Sequence, residues 1–186
     1  MSHGFYHAAV RRHGVLVALV LLAVACARET PIAGGETPFL AAGNAAEAPL
    51  LPTNAYALPE LDLAGYQRLI GQLRGTPVFV NVWGSWCPPC RQEAPFIAEA
   101  HASYGDRVQF LGIDILDSRE SARDFMEEFG WSHPSVFDPD GAIRDGLGYI
   151  GQPISIFYDA RGEVVADFAG PLSEALLVKY LERLVS

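Results

Sequence analysis

Two cysteines lie two residues apart in the sequence Trp86-Cys87-Pro88-Pro89-Cys90, and such a pair can carry out thiol–disulfide exchange. The nucleophile in that reaction is the thiolate, which a helix N-terminus favours because its unpaired N–H groups and dipole stabilise an anion. We predict that Cys87 occupies this position, exposed and ready to attack. Cys90, one helical turn further on, would resolve the mixed disulfide. The two prolines suit the first turn of a helix but remove two amide donors near the sulfur.

Metal and haem binding explain the same pair less well. Zinc needs two further ligands, and besides the pair only His101 and His133 remain in the exported part. Haem attachment needs a histidine directly after the second cysteine, where Arg91 stands. A copper carrier is a minor alternative, because thiolates bind Cu(I), but no neighbouring His or Met supports it. We therefore expect neither a metal nor a cofactor.

The elements that must position the pair follow from the hydrophobic pattern. Residues 78–83 form a continuous apolar run, typical of a central strand buried on both faces. Crossover connections make the strands near residues 80 and 110 parallel neighbours, and a hairpin and a helix end the chain. The predicted helices are 63–73, 88–104 with a kink or restart at Pro95, 118–129, 142–146 and 173–185; the predicted strands are 78–83, 108–114, 135–137, 154–158 and 163–168. This order predicts an α/β fold with a central mixed sheet flanked by helices.

The N-terminal residues have the pattern of an export signal. Arg11 and Arg12 form a positively charged segment, residues 15–25 are an unbroken apolar run, and Ala23-Val24-Ala25 resembles a cleavage site. The apolar run is shorter than the roughly 20 residues that span a bilayer. We predict a signal peptide over residues 1–25, with an uncleaved short anchor as the alternative.

Cys26 follows the predicted cleavage site directly and resembles the lipidated cysteine of bacterial lipoproteins. The match is imperfect, because Ala23 stands where leucine is usual, and ordinary signal-peptidase cleavage is the alternative. Residues 26–52 are rich in Ala, Gly, Pro, Thr and Glu without an apolar period, which predicts a flexible tether. Residues 53–186 then form the folded domain. We expect membrane anchoring through a lipidated Cys26, or a periplasmic or secreted protein without the lipid.

Composition excludes some classes of function. The formal net charge of −9 argues against nucleic acid as a partner, because phosphate binding needs a basic surface. Half of the 186 residues are apolar, enough for one sizeable core. Three cysteines are too few for a scaffold held together by disulfides. We expect a monomer.

The residues around the pair resemble a known family. The run Val80-Asn81-Val82-Trp83-Gly84-Ser85-Trp86-Cys87-Pro88-Pro89-Cys90-Arg91-Gln92-Glu93-Ala94-Pro95 is similar to extracytoplasmic thioredoxins of the TlpA-like group, which includes DsbE- and ResA-like proteins and cytochrome c maturation thioredoxins. The resemblance covers roughly residues 55–186. It implies a thioredoxin-like fold and thiol:disulfide oxidoreductase activity. It also implies an insertion over about residues 114–148, between the active-site half and the cis-proline half.

The resemblance assigns roles to further residues. Pro153 matches the cis-proline that faces the disulfide in thioredoxin-like folds, with an ordinary trans-proline at a strand start as the alternative. Gln152 would then offer its backbone to an extended client peptide. Glu93 matches an acid near the active site, whose pKa burial would raise so that it exchanges a proton with Cys90. The alternative for Glu93 is a solvated carboxylate on the helix.

Neighbouring side chains complete the expected site. Asn81 stands where cytoplasmic thioredoxins carry a buried aspartate, which leaves the glutamate or water as the proton acceptor. Trp86 and Pro88 flank the first cysteine and are expected to shield the site and contact the client, whereas Trp83 fills the core. In Gly151-Gln152-Pro153 the family often has Val or Ala in the middle, a departure that concerns the partner and not the fold.

Together these features lead to one function and several alternatives. We expect an exported thiol:disulfide oxidoreductase that acts on cysteines of exported proteins, with apocytochrome c as a candidate client and a membrane or periplasmic thiol protein as electron donor. The first alternative is an oxidant that forms disulfides in secreted proteins. The second is a peroxiredoxin-like peroxidase, although the threonine spacing of that chemistry is missing before Cys87.

Overall fold

The computed structural model describes residues 48–186, so the predicted signal peptide, Cys26 and most of the predicted tether lie outside the described residues. The helices are α1 (Leu63–Gln72), α2 (Pro88–Tyr104), α3 (Arg119–Glu128), α4 (Ala142–Gly146) and α5 (Glu174–Leu184); the strands are β1 (Val78–Trp83), β2 (Gln109–Ile115), β3 (Ser135–Asp138), β4 (Ile154–Tyr158) and β5 (Val164–Ala169). Each predicted element is present, with ends within one residue of the prediction. In residues 48–186 no helix combines the length and apolar character needed to cross a membrane.

The strands form one mixed sheet in the order β3-β2-β1-β4-β5. β1 runs parallel to β2 and β2 parallel to β3, whereas β4 is antiparallel to both β1 and β5. The predicted parallel pairing of the strands near residues 80 and 110 is therefore confirmed. β1 lies at the centre of the sheet, and all six of its residues are buried, which explains its unbroken apolar run.

The two faces of the sheet bury different clusters. Phe79 and Trp83 of β1 pack in a cluster with residues of α2, α3 and α5, and this cluster contains many aromatic rings. Val80 and Val82 point the other way and pack with aliphatic residues of the sheet and with α1 and α4. This alternation follows from the two-residue period of a strand. The helix that begins at the cysteine pair lies on the aromatic face.

α2 continues through Pro95 without ending, so of the two predicted alternatives at this residue the restart is wrong and the kink stays a prediction. A proline inside a helix removes one backbone hydrogen bond. Here Ala94 and Ile97, on either side of the proline, are fully buried in the aromatic cluster. Packing of this face holds the helix together across the missing bond, since helices in proteins are stabilised mainly by tertiary contacts.

The segment between β2 and β4, predicted to hold an insertion, contains α3, β3 and α4, and β3 forms one edge of the sheet.

The packed part of the chain begins before residue 53, the predicted start of the folded domain. The Leu50 N–H donates to Gln72 Oε1 at 2.9 Å, and Gln72 Nε2 donates to the Ala48 carbonyl at 3.2 Å. The last residues of the predicted tether therefore lie against α1.

Small and polar residues form a row across the aromatic face. Ser155, Asn81, Gly112 and Ser135 are register partners on four adjacent strands. A Cβ atom at Gly112 would lie 2.2 Å from Ser135 Oγ and 2.8 Å from Trp83 Nε1. The absence of a side chain at this position makes room for the indole ring over the sheet.

We expect Gly112→Ala to destabilise the protein by about 1–3 kcal/mol, because Trp83 and Ser135 are fully buried and cannot move aside without strain. Chemical denaturation of the oxidised protein measures this effect. Gly71→Ala is the matched control: it lies on the exposed side of α1 with nothing near the new Cβ. This control should gain about 0.5–1 kcal/mol. Equal stability of the two variants would contradict the role given to Gly112.

Candidate active site

Cys87 is the N-cap residue of α2, and Pro88 and Pro89 are the first two residues of the helix. The Cys90 N–H donates to Cys87 Sγ at 3.3 Å. The two cysteines form a disulfide bond with their Cα atoms 5.3 Å apart. The predicted order of strand, turn, cysteine pair and helix is thus present. The first sulfur lies at the positive end of the helix dipole.

The pair is less accessible than predicted. Cys87 and Cys90 each expose 2% of their surface, and both belong to the aromatic cluster with Trp83 and Ala94. The prediction of an exposed Cys87 is therefore wrong for the oxidised protein. Packing of the first turn of α2 against the core buries the residue. The predicted client-contacting neighbours Trp86 and Pro88 are exposed on either side of it.

Residues 84–87, called the redox loop below, are held by the turn that follows β2. The Ser85 N–H donates to Asp117 Oδ2 at 2.6 Å, and Trp86 Nε1 donates to the Leu116 carbonyl at 3.0 Å. Leu116 has a φ of 52°, which is unusual for a residue other than glycine. These contacts connect residues about thirty positions apart, and no local sequence pattern predicts them.

Arg91 holds the redox loop from the helix side. Its Nη1 donates to the Ser85 carbonyl at 3.4 Å, and its Nη2 pairs with Glu128 Oε2 of α3 at 2.6 Å. The guanidinium also lies 5.0 Å from the centre of the Phe129 ring. The residue after the cysteine pair thus connects the redox loop to α3, a role that sequence reasoning missed.

The peptide bond between Gln152 and Pro153 is cis, so the trans alternative is wrong. Ile154 pairs with Val82 in antiparallel register, which sets Pro153 level with Trp83 at the end of β1. The proline therefore lies at the same end of the sheet as the N-terminus of α2. Gln152 Oε1 accepts a hydrogen bond from Arg144 at 3.4 Å. No backbone hydrogen bond within residues 48–186 involves Gln152.

Glu93 lies one turn beyond Cys90 on α2 and is 2% exposed, so the alternative of a solvated carboxylate is wrong. Its Oε1 accepts the Leu172 N–H, and its Oε2 lies 3.5 Å from Asn81 Nδ2. Asn81 Nδ2 also lies 3.4 Å from Ser155 Oγ. Burial raises the pKa of Glu93 to about 7, and the hydrogen bonds from Leu172 and Asn81 offset part of that rise. This acid can therefore gain or lose a proton near neutral pH.

Within the described part of the chain, no group of three or more His, Cys, Asp and Glu side chains is arranged to hold a metal ion. His101 and His133, the histidines considered as zinc ligands, contact each other with ring centres 5.2 Å apart. Burial lowers the pKa of His133 to about 3, with a smaller contribution from His101, so the ring is neutral at neutral pH.

The fold and the site define a thioredoxin-like thiol:disulfide oxidoreductase, and comparison with known proteins agrees. The chain belongs to the AhpC/TSA family, whose model matches residues 52–167. It is 30% identical over 122 residues to the thiol-disulfide oxidoreductase ResA of Geobacillus kaustophilus, covering 65% of this chain and 70% of that protein. ResA of Bacillus subtilis is 27% identical over 121 residues, covering 64% and 68%. The chain is thus similar to oxidoreductases named ResA.

Solved structures support the same fold and the same class of enzyme. A secreted disulfide oxidoreductase of Mycobacterium tuberculosis, described as homologous to DsbE of E. coli, has a TM-score of 0.57 and 26% identity over 61% of this chain and 85% of that chain. A DsbF homologue from Corynebacterium diphtheriae has a TM-score of 0.57 and 30% identity over 62% and 76%. The predicted thioredoxin-like fold and the enzyme class are confirmed.

The stability of Glu93→Gln should depend on pH differently from that of the wild type. The pKa of Glu93 rises from 4.5 to about 7 on folding, so its stabilising contribution is complete below pH 4.5 and is lost as the pH rises to 7. The stability of the variant relative to the wild type should therefore increase over this range, by on the order of 3 kcal/mol. Urea denaturation of the oxidised proteins at a series of pH values measures it.

Glu99→Gln is the control for this measurement, because Glu99 lies on the exposed side of the same helix. Its stability should follow that of the wild type at every pH. If the stability of Glu93→Gln also changes with pH as that of the wild type does, the prediction is wrong, because the Glu93 carboxyl group then has the same pKa in the folded and the unfolded protein.

Proposed function

We propose that the protein exchanges disulfides with cysteines of exported proteins, with Cys87 as the attacking residue and Cys90 as the resolving residue. The observation that carries this proposal is the Cys87–Cys90 disulfide at the N-terminus of α2, at the same end of the sheet as the cis-proline Pro153. A thiolate at this position is a better nucleophile at neutral pH than an ordinary cysteine.

The helix terminus acts on the sulfur through a single amide. Pro88 and Pro89 occupy the first two positions of α2 and have no N–H, so the Cys90 N–H is the first that the helix can donate to Cys87. This amide and the helix dipole stabilise the thiolate once the disulfide is reduced. The two prolines limit that stabilisation and make the first turn rigid.

In the reducing direction, the Cys87 thiolate attacks one sulfur of a client disulfide and releases the other client sulfur as a thiolate. Cys90 then loses its proton and attacks Cys87 Sγ. The mixed disulfide breaks, the client leaves as a second thiolate, and the Cys87–Cys90 disulfide forms. Two electrons pass to the client, and an electron donor restores the dithiol.

Glu93 is the proposed acceptor of the Cys90 proton. The two residues are three positions apart on α2, a spacing that brings side chains to the same face of a helix, and both are buried. A carboxyl group with a pKa near 7 can take the proton of a buried thiol and return it at neutral pH. In the oxidising direction the same group returns the proton to Cys90.

The client is proposed to bind as an extended segment beside Pro153. The backbone of Gln152 has no hydrogen-bond partner among the described residues and is free to pair with such a segment. Three large apolar side chains are exposed at this end of the sheet: Trp86 at 49%, Leu116 at 44% and Ile150 at 95%. They form an apolar border that suits the unfolded or flexible chain around a client cysteine.

We propose that the protein works outside the cytoplasm. Two observations support this location: residues 1–25 have the pattern of an export signal, and the folded domain is similar to an oxidoreductase described as secreted. Anchoring through a lipidated Cys26 and a tether is part of the same proposal. Reduction of apocytochrome c is the proposed role, supported by the resemblance of the motif to cytochrome c maturation thioredoxins. The reduction potential of the Cys87–Cys90 pair distinguishes this role from that of an oxidant.

Cys90→Ser tests the exchange mechanism. Without its resolving thiol, Cys87 should remain bound to a client in a mixed disulfide that dithiothreitol releases. The adduct is detected by non-reducing electrophoresis and mass spectrometry after incubation with a disulfide-containing apocytochrome c. Cys87→Ser is the control and should form no adduct. An equal yield of adduct from both variants, or none from Cys90→Ser, would overturn the assignment of the two cysteines.

Ile150→Glu tests the apolar border. Because the side chain is almost fully exposed, the variant should fold normally, and its KM for an unfolded disulfide client should rise about fivefold, the effect of losing roughly 1 kcal/mol of apolar contact. Val164→Glu is the matched control, since Val164 is exposed at the opposite end of the sheet. If the two variants have the same KM, the client does not contact Ile150.

A further inference from the structure

Residues 148–152, called the docking loop below, carry groups that we propose to meet the client, yet little of their backbone is hydrogen bonded. Ile150 is 95% exposed. The Tyr149 N–H donates to the Arg144 carbonyl at 3.2 Å, but no backbone hydrogen bond within residues 48–186 involves residues 150–152. The backbone of this stretch is therefore not held in place by secondary structure.

Two glycines of the docking loop add to its freedom. Gly148 has a φ of 84° and Gly151 a φ of 79°, values in the left-handed region that glycine adopts without strain. A Cβ atom at either position would meet no other atom within 4 Å, so close packing does not fix these residues either. The position of the docking loop must then depend on contacts of its other side chains.

Two side-chain contacts tie the docking loop to the rest of the domain. Arg144 Nη1 lies 3.4 Å from Gln152 Oε1, a long distance for a hydrogen bond. The Tyr149 hydroxyl donates to Asp167 Oδ2 of β5 at 2.8 Å, the usual length for such a bond. A hydroxyl bonded to a carboxylate is also stronger than a bond between neutral groups. The bond between Tyr149 and Asp167 is thus the stronger of the two anchors.

The anchor reaches from the docking loop to the central sheet. The half-buried Tyr149 ring packs against the aliphatic cluster on the face of α1 and α4. The neighbours of Asp167 on β5, Ala166 and Phe168, pack against the aromatic cluster, so the alternation of a strand directs Asp167 to the face of Tyr149. Asp167 also pairs in register with Ile156 of β4. A short side chain on a paired strand therefore holds the loop residue that directly precedes Ile150.

We propose that Tyr149 and Asp167 are positioning residues for client binding, and that their hydrogen bond holds Ile150 and the Gln152 backbone where an extended client segment can meet them. The inference rests on the proposed function, because it concerns the client of the same cysteine pair. Without the bond, the docking loop has to be ordered each time a client binds. The apparent affinity then falls in proportion to the fraction of molecules whose loop is already in place.

Tyr149→Phe tests the anchor, because it keeps the ring and removes only the hydroxyl. In single-turnover reduction of a disulfide-containing apocytochrome c by the reduced protein, the half-saturating concentration should rise about fivefold, while the limiting rate stays the same. Asp167→Asn keeps an acceptor oxygen and should stay within about twofold of the wild type. The rate with dithiobis-nitrobenzoate, a disulfide too small to reach the docking loop, should be equal in all variants.

Tyr104→Phe is the matched control. Tyr104 is the last residue of α2, at the opposite end of that helix from the cysteine pair, and loss of its hydroxyl should change neither quantity. Asp167→Ala should behave as Tyr149→Phe does. The double variant should be no weaker than either single variant, because both remove the same bond. If the two effects add, the residues do not act through each other and the proposal is wrong.

Nitrogen-15 NMR relaxation of the oxidised protein tests the anchor without a client or a free thiol. The backbone amides of residues 150–152 should have order parameters of about 0.85 in the wild type and in Tyr104→Phe, and below about 0.6 in Tyr149→Phe. Unchanged order in Tyr149→Phe, or an unchanged half-saturating concentration, would overturn the role of the pair. A failure of Cys90→Ser to trap a client would instead overturn the proposed function and leave the NMR result standing.

Discussion

The hydrogen bond from the Cys90 N–H to Cys87 Sγ is the contact around which the site is organised. It forms because Cys87 caps α2 and because Pro88 and Pro89 leave no earlier amide for the sulfur to accept. The direction of α2 then brings Glu93 over Asn81 of the central strand. If the first turn of α2 shifted, the sulfur would lose its donor and the carboxyl group would lose its polar partner on the sheet. One helix terminus thus couples the proposed nucleophile to the proposed proton acceptor.

Both faces of the sheet bury polar groups. On the face of α1 and α4, the hydroxyls of Tyr66 and Tyr158 lie 2.8 Å apart and hydrogen bond to each other. On the face of α2, two carboxyl groups, Glu93 and Asp114, are buried with raised pKa values. Such groups weaken the fold at neutral pH, and perturbed pKa values of this kind concentrate at functional sites. The redox pair lies on the same face as these two groups, whereas Asp138, a buried carboxyl group whose pKa burial also raises, lies on the other face and accepts backbone N–H bonds at the start of α4.

The redox loop shows what local sequence patterns can and cannot predict. The cysteine spacing and the strand before it predict both the loop and the helix after it. Nothing in the local sequence indicates that Asp117 accepts the Ser85 N–H or that Leu116 accepts the Trp86 indole N–H, because these partners are about thirty residues away and belong to an irregular turn. The same holds for burial. The motif identifies Glu93 as a candidate site residue, but it is compatible with both a solvated and a buried side chain. Only the packing of α2 on the sheet decides between the two.

Sequence alone determined the kind of chemistry and the order of elements, because thiol reactivity and the periods of helices and strands are local properties. Tertiary structure decided which groups meet. It buried Cys87, which the sequence predicted to be exposed, and it carried α2 through Pro95. It also raised the pKa of Glu93 and of Asp114, since the energy of a charge depends on the solvent and dipoles around it. Those surroundings come from strands and turns that are distant in the chain and adjacent only after folding.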